Sequence, residues 1–210
     1  MRRPRLILAD DHAIVMEAIG NLLERDYEVV ARVGDGLELV EAAERLRPDL
    51  IVADMEMPSL NGLDALKRLR DRHNDVKIVF LTMYGEPALA ADALRAGASG
   101  YLMKHSAMEE LTAAIEDALQ GRVYLTSRIA KGVIGALTQP SGPSEPRLTP
   151  RQRDVLRLLA EGRRMKEIAS ILNLSTRTVE TYKYEAMQTL GLTSTAELVR
   201  YALKHSLSEP

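Results

Sequence analysis

The chain has no cysteine, no tryptophan, a single phenylalanine and only four histidines in 210 residues. Without cysteine there are no disulfides, no thiolate zinc sites and no cysteine nucleophile. With so few aromatics, the core must be built largely from Leu, Ile, Val, Ala and Met. No apolar run approaches the roughly 18 residues of a membrane helix and no signal-peptide pattern occurs, so a soluble cytoplasmic protein with no membrane partner is expected. What is present is ordinary for a globular chain, 46% hydrophobic and 28% charged, in a length that suits one large domain or two modest ones.

The net charge of −2 hides an asymmetry. Residues 1–121 carry 14 Lys/Arg against 22 Asp/Glu, residues 122–147 carry 4 against 1, and residues 148–210 carry 10 against 7. An acidic front and a mildly basic rear suit a cation or phosphate module joined to a nucleic-acid module. Two domains of unrelated surface charge would give the same count.

Short apolar runs alternate with helical periodicity through the front part. Leu6–Ala9, Val29–Ala31, Leu50–Ala53, Ile78–Leu81 and Tyr101–Met103 read as buried strands, and the alternation predicts a parallel sheet with right-handed crossovers. Asp35 with Glu38, and Ser106 with Glu109, have capping-box spacing, and Pro87 suits a first helical turn. The alternation stops near Gly121. Residues 126–138 read as one more helix with Thr126 as its cap, and the Pro/Ser-rich stretch 139–146 reads as a linker. The expected division is 1–121, a linker helix and linker over 122–147, and an all-helical domain over 148–210.

Polar residues punctuate the apolar runs. Asp10 and Asp11 end the first, Asp54 the third, Thr82 the fourth and Lys104 the fifth. In a doubly wound sheet the carboxyl ends of the strands share one edge, where ligands bind. Carboxylates gathered there suit Mg2+, which takes oxygen ligands and keeps several waters. Asp11 and Asp54 would supply direct ligands, with Asp10 holding a water. A carboxylate beside such a cation is a competent nucleophile towards phosphorus, Lys104 would neutralise the added charge, and Thr82 would hydrogen-bond a phosphoryl oxygen. Asn61-Gly62 supplies the tight turn that leads out of the third strand.

The segments Ile7-Leu8-Ala9-Asp10-Asp11-His12, Asp54 to Gly62 and Gly97 to Lys104 resemble a response-regulator receiver domain over residues 1–121. The resemblance implies a five-stranded sheet of order 2-1-3-4-5, with Asp54 as the phosphoacceptor of a cognate histidine kinase. Asp10, Asp11 and the backbone carbonyl of Glu56 would complete the metal site, and Thr82 and Tyr101 would form the switch pair. Glu56 and Tyr84 sit two residues past Asp54 and Thr82, positions that in that family tune loss of the phosphoryl group. His105 stands where many receivers have proline.

In the rear part, Thr149-Pro150-Arg151-Gln152 opens a helix that Gly162 closes, and Met165–Leu172 is a second. Asn173-Leu174-Ser175 turns into a third that ends at Gly191, and Ser194 with Glu197 caps a fourth. Two helices joined by a three-residue turn form a helix-turn-helix, whose second helix enters the major groove. Glu180, Thr181 and Tyr184 are spaced to reach bases, whereas Lys166, Arg177 and Lys183 suit phosphates. Leu148 to Leu156 and Thr178 to Lys183 resemble the DNA-binding domain of NarL/FixJ-type (LuxR-type) regulators. Tyr182, Lys183, Ala186, Thr189 and Glu185 depart from its usual residues and leave the recognition helix less basic. In that family the last helix makes the dimer contact, which would fall on Leu198, Tyr201 and Ala202. A helix merely packed on its own domain is an equal reading of those residues.

The expectation is therefore a non-enzymatic two-component regulator. Phosphorylation at Asp54 would drive homodimerisation and sequence-specific binding to promoter DNA, with transcription as the output. An enzymatic alternative reads Asp54-Met55-Glu56 as a haloacid-dehalogenase-type nucleophile motif, which leaves Asp10, Asp11 and the rear helices without a role. A regulator whose receiver works without phosphate is the third reading.

Overall fold

Four of the five expected strands are buried on both faces, and the edge run Val29–Ala31 is half-buried. In the computed structural model, which describes residues 2–83, 85–138 and 148–204, successive residues of a strand point to opposite layers of helices. The strands are β1 (Arg5–Ala9), β2 (Glu28–Val33), β3 (Leu50–Asp54), β4 (Lys77–Thr82) and β5 (Gly100–Met103). On one face Leu6, Leu8, Leu50, Val52, Leu81 and Leu102 meet α1 (Ala13–Leu23) and α5 (Ala107–Leu119). On the other, Ile7, Ala9, Ile51, Ile78, Phe80 and Tyr101 meet α2 (Gly36–Leu46), α3 (Gly62–Asp71) and α4 (Pro87–Arg95). This two-sided burial is why the strands read as continuous apolar runs rather than alternating ones.

The sheet order is β2-β1-β3-β4-β5-β6, all pairs parallel. The first five strands follow the expected 2-1-3-4-5 order. The sixth, β6 (Tyr124–Leu125), is an addition to it: past Gly121 the chain returns beside β5, with Tyr124 N donating to Ser99 O at 3.2 Å and Thr126 N to Tyr101 O at 3.2 Å. The helix α6 (Ser127–Thr138) follows and lies against α4.

Two compact units divide the described residues, those up to 138 in one and those from 148 in the other. The expected boundary at 121 is thereby corrected. Ile129 and Val133 of α6 are buried in the core of the front unit, so 122–138 belongs to that unit and not to a linker. Each such side chain contributes about 1.5–3 kcal/mol when fully buried. Gly132 permits the approach, since a Cβ there would stand 2.6 Å from Pro87 Cγ. The expected Pro/Ser-rich linker, 139–147, lies outside the described residues.

Two expected caps are also corrected. Ser106 makes no cap to α5; its hydroxyl donates to Met103 O at 3.2 Å through the 3-10 turn Lys104–Ser106. Thr126 uses its hydroxyl between Glu110 Oε2 (3.0 Å) and Met103 N (3.3 Å), tying β6 to α5 and β5. Asp35 does cap α2, accepting from Leu37 N at 2.7 Å, but not as a box with Glu38.

The rear unit is α7 (Pro150–Ala160), α8 (Met165–Leu172), α9 (Thr176–Thr189) and α10 (Thr195–Lys204) around a separate core of Leu148, Val155, Leu156, Leu159, Ile168, Val179, Tyr182, Ala186, Leu198 and Ala202. Here the caps are as expected. Thr149 and Gln152 form a capping box on α7, Ser175 Oγ accepts from Thr178 N at 3.0 Å, and Ser194 and Glu197 exchange hydrogen bonds at 3.2 Å. Asn173 takes the left-handed conformation (φ 54°) that ends α8 and starts the turn.

Candidate functional site

The strand register builds the front site. Ala9 pairs with Ala53, Asp54 with Leu81, and Thr82 with Met103. Asp10, Asp54, Thr82 and Lys104 therefore fall within one residue of a common line at the carboxyl edge. The chain leaves β3 by a close turn: Gly62 N donates to Met55 O at 2.9 Å, and a Cβ on Gly62 would stand 2.5 Å from Asp54 O. Asn61 then caps α3, accepting from Asp64 N at 2.9 Å.

Lys104 bridges the carboxylates. Its Nζ lies 2.6 Å from Asp54 Oδ2 and 2.8 Å from Asp10 Oδ2, with the lysine side chain 7% exposed and both aspartates 5%. The Asp54 contact has hydrogen-bond geometry, whereas the Asp10 contact is an ion pair that leaves Oδ2 without a directed hydrogen bond. Glu56 N donates to Asp54 Oδ1 at 3.1 Å. His12 closes the other side. Its backbone N–H donates to Asp10 Oδ1 at 2.9 Å, and its Nδ1 lies 3.2 Å from that oxygen and 2.7 Å from Asp11 Oδ1.

Electrostatics in the pocket follow from burial against this pairing. Burial pushes the Asp54 carboxyl up to about 6 despite the Lys104 charge beside it. At Asp10 burial acts in the same sense, but the His12 hydrogen bonds and the Lys104 charge outweigh it and hold the carboxyl below its ordinary value. Hydrogen bonds to Asp10 and Asp11 raise the His12 imidazole to about 10. Burial opposes the Lys104 ammonium, and the charges of Asp54 and Asp10 overcome it and leave its pKa raised.

The donor set fits a divalent cation. Ligand atoms of Asp10, Asp11, His12 and Asp54 lie within 4.8 Å of one another, and Asp10 Oδ2 and Asp11 Oδ1 are buried in ion pairs with Lys104 and His12. Thr82 and Tyr101 are both buried and share a side-chain hydrogen bond, and burial raises the phenol. The tyrosine ring is already inside the fold. Glu56 is buried beside Asp54, while Tyr84 lies outside the described residues.

On the rear unit, Lys166, Arg177, Glu180 and Tyr184 are exposed and Thr181 and Lys183 half-buried, with Tyr184 at 59%. Val179, Tyr182 and Ala186 turn the opposite face of α9 into the core. Thr181 Oγ1 donates back to Arg177 O at 3.1 Å. Glu185 points a carboxylate oxygen at Gln152 Nε2 (3.3 Å), linking α9 to α7. Tyr182 and Glu185, two of the departures noted in the sequence, thus serve the domain's own packing.

The expected dimer contacts are corrected in part. Leu198 and Ala202 are 0% exposed, one turn apart on the face of α10 that fills the rear core, so neither is available to a partner. Tyr201 is half-buried, and Leu203 beside it is exposed. Sequence reasoning assigned no role to His12. The signal was the third letter of Asp10-Asp11-His12, but the direction of the ring depends on the backbone at the start of α1.

Comparison with known proteins covers both units. Residues 6–116 match the response regulator receiver domain, and residues 146–202 match the bacterial regulatory proteins of the luxR family. The oxygen regulatory protein NreC of Staphylococcus aureus is 35% identical over 98% of this chain and 99% of its own. The transcriptional regulatory protein MctR of Rhizobium johnstonii is 33% identical over 97% of this chain and 94% of its own. Among solved structures, the Salmonella typhimurium RcsB response regulator is 29% identical with a TM-score of 0.58, covering 97% of this chain and all of that one. An RcsB–DNA complex is 28% identical with a TM-score of 0.59, covering 96% of this chain and 98% of that one.

Proposed function

The chain belongs to the response regulators that join a receiver domain to a LuxR-type DNA-binding domain, and from that premise we propose that Asp54 is its phosphoacceptor and that the aspartyl phosphate controls dimerisation and promoter binding. The family is one of DNA-binding transcription regulators, not enzymes. Among the described residues no helix is long and apolar enough to cross a membrane.

The observation that carries the proposal is the Asp54 carboxylate, buried at the strand edge between Lys104 and the Glu56 amide with Asp10 and Asp11 beside it. A carboxylate oxygen of Asp54 attacks phosphorus as the P–N bond to the kinase histidine breaks. Asp10, Asp11, Asp54 and the Glu56 carbonyl would hold Mg2+, which neutralises phosphoryl charge when bound. Lys104 moves from the Asp54 carboxylate to a phosphoryl oxygen, and the Thr82 hydroxyl exchanges Tyr101 for another. That exchange loosens the tie between β4 and β5, so phosphorylation shifts a two-state equilibrium.

In the rear unit, α9 presents Tyr184, Thr181 and Glu180 to base edges, while Lys166, Arg177 and Lys183 meet phosphates. Dimerisation sets two such helices on an inverted repeat. RcsB is described both bound to DNA and as dimers on DNA, which supports this part of the reading. The test is labelling with acetyl phosphate and Mg2+. Wild type is expected to gain one phosphoryl group at Asp54 and higher promoter affinity, and Asp54→Ala neither. No labelling of the wild type, or equal promoter affinity for the two proteins, would overturn it.

A further inference from the structure

We propose that His12 is a nitrogen ligand of the cation pocket, which therefore prefers a first-row transition-metal dication such as Mn2+ over Mg2+. The inference rests on the reading of Asp10, Asp11 and Asp54 as that pocket and concerns what the pocket selects.

His12 is the N-cap of α1, with extended backbone (φ −95°, ψ 102°) and no side-chain hydrogen bond to the helix it begins. A capping side chain ordinarily serves the free amides of the first turn. Here the imidazole turns the other way, into the carboxylates. Its Nδ1 stands 3.2 Å from Asp10 Oδ1 and 2.7 Å from Asp11 Oδ1, and its own amide is bonded to Asp10 Oδ1 at 2.9 Å. Backbone and ring are thus tied to the same pocket.

The spacing suits ligands of one cation as well as it suits the ion pair. With bonds of about 2.1 Å, neighbouring donors of an octahedral site stand about 3 Å apart, and the two Nδ1 separations straddle that value. Ligation replaces the proton shared by His12 and the carboxylates with the metal. The ring is 44% exposed, so it can adjust by a few tenths of an ångström without disturbing the core. Carboxylate and carbonyl oxygens alone suit Mg2+, whereas an imidazole nitrogen adds affinity for first-row transition metals.

The test uses the full-length chain and Mn2+. Pulsed electron paramagnetic resonance is expected to show 14N modulation from a directly bound imidazole, converted to the 15N pattern when the histidines are 15N-labelled and absent in His12→Gln. In competition titrations, the Mn2+-over-Mg2+ preference should fall by about tenfold or more in that variant. Bound Mn2+ with no nitrogen modulation in the wild type overturns the role of His12 and leaves the carboxylate pocket standing, as does modulation that survives in His12→Gln. Failure of both cations to bind the wild type overturns the pocket itself, and the inference with it.

Discussion

Replacing Lys104 with alanine removes the ammonium set between Asp10 and Asp54. The lysine side chain is 7% exposed and contacts both carboxylates, at 2.8 and 2.6 Å. Removing one partner of a buried ion pair costs about 3–5 kcal/mol, because the charge left behind has lost its compensation. Without the lysine the buried Asp54 carboxyl, already raised to about 6 beside it, takes up a proton at neutral pH, and Asp10 keeps its contact with His12, which places the expected loss at the lower end of that range. A divalent cation in the same pocket should offset much of it. At a hundredfold excess over its Kd, a ligand specific for the folded state contributes about 2.7 kcal/mol. Hydrogen exchange read by mass spectrometry separates the two units, since peptides from β1 and β3 report the front core and peptides from α7 and α9 the rear. Lys104→Ala should lose protection in β1 and β3 without Mg2+ and recover a large part with it, while the rear peptides stay unchanged. Equal protection of variant and wild type without Mg2+, or a loss shared by both units, would refute the reasoning.

Three further outcomes are expected. Burial raises the Asp54 carboxyl to about 6, so its contribution to stability is complete below the ordinary carboxylate value and is lost as pH rises through about 6. Asp54→Asn should therefore remove part of the stability difference between pH 4.5 and 7.5 seen by urea denaturation, and an unchanged profile would count against the assigned burial. Val133→Ala empties a fully buried site between α6 and the front core and should cost about 1–3 kcal/mol; no loss of protection in α4 peptides would mean α6 is not docked there in solution. Tyr184→Ala should weaken binding at a cognate site by about 1–3 kcal/mol and relax base preference, whereas Lys166→Ala should weaken all sequences alike; selection of bound DNA by each variant distinguishes them.

Much of the architecture was legible because it depends on periodicity. Runs such as Leu50–Ala53 carry the signature of strands covered on both faces, and Thr149 to Gln152 announces a helix start by its own hydrogen bonds. The departures have a common cause. Ser106 and Thr126 have the right letters for caps, but their hydroxyls find Met103 O and Glu110 Oε2, partners supplied by neighbouring elements. Residues 126–138 were readable as a helix, yet its attachment through Ile129, Val133 and Gly132 depends on a notch over Pro87 that no local pattern encodes. Leu198 and Ala202 lie four residues apart on a short amphipathic helix, and whether such a stripe faces a core or a partner is undecided until the domain closes around it.

By itself the sequence determined two domains of opposite charge, the parallel sheet, the helix-turn-helix and the polar residues that end each strand, because local spacing and side-chain chemistry specify these directly. Tertiary structure alone decided that Asp10 and Asp54 share one lysine, that His12 turns its ring into the acidic pocket, and that α6 closes the front unit. Those facts rest on strand register and on the backbone angle at a helix start, which bring together groups far apart in the chain. A linear pattern can name such groups but cannot set the distance between them.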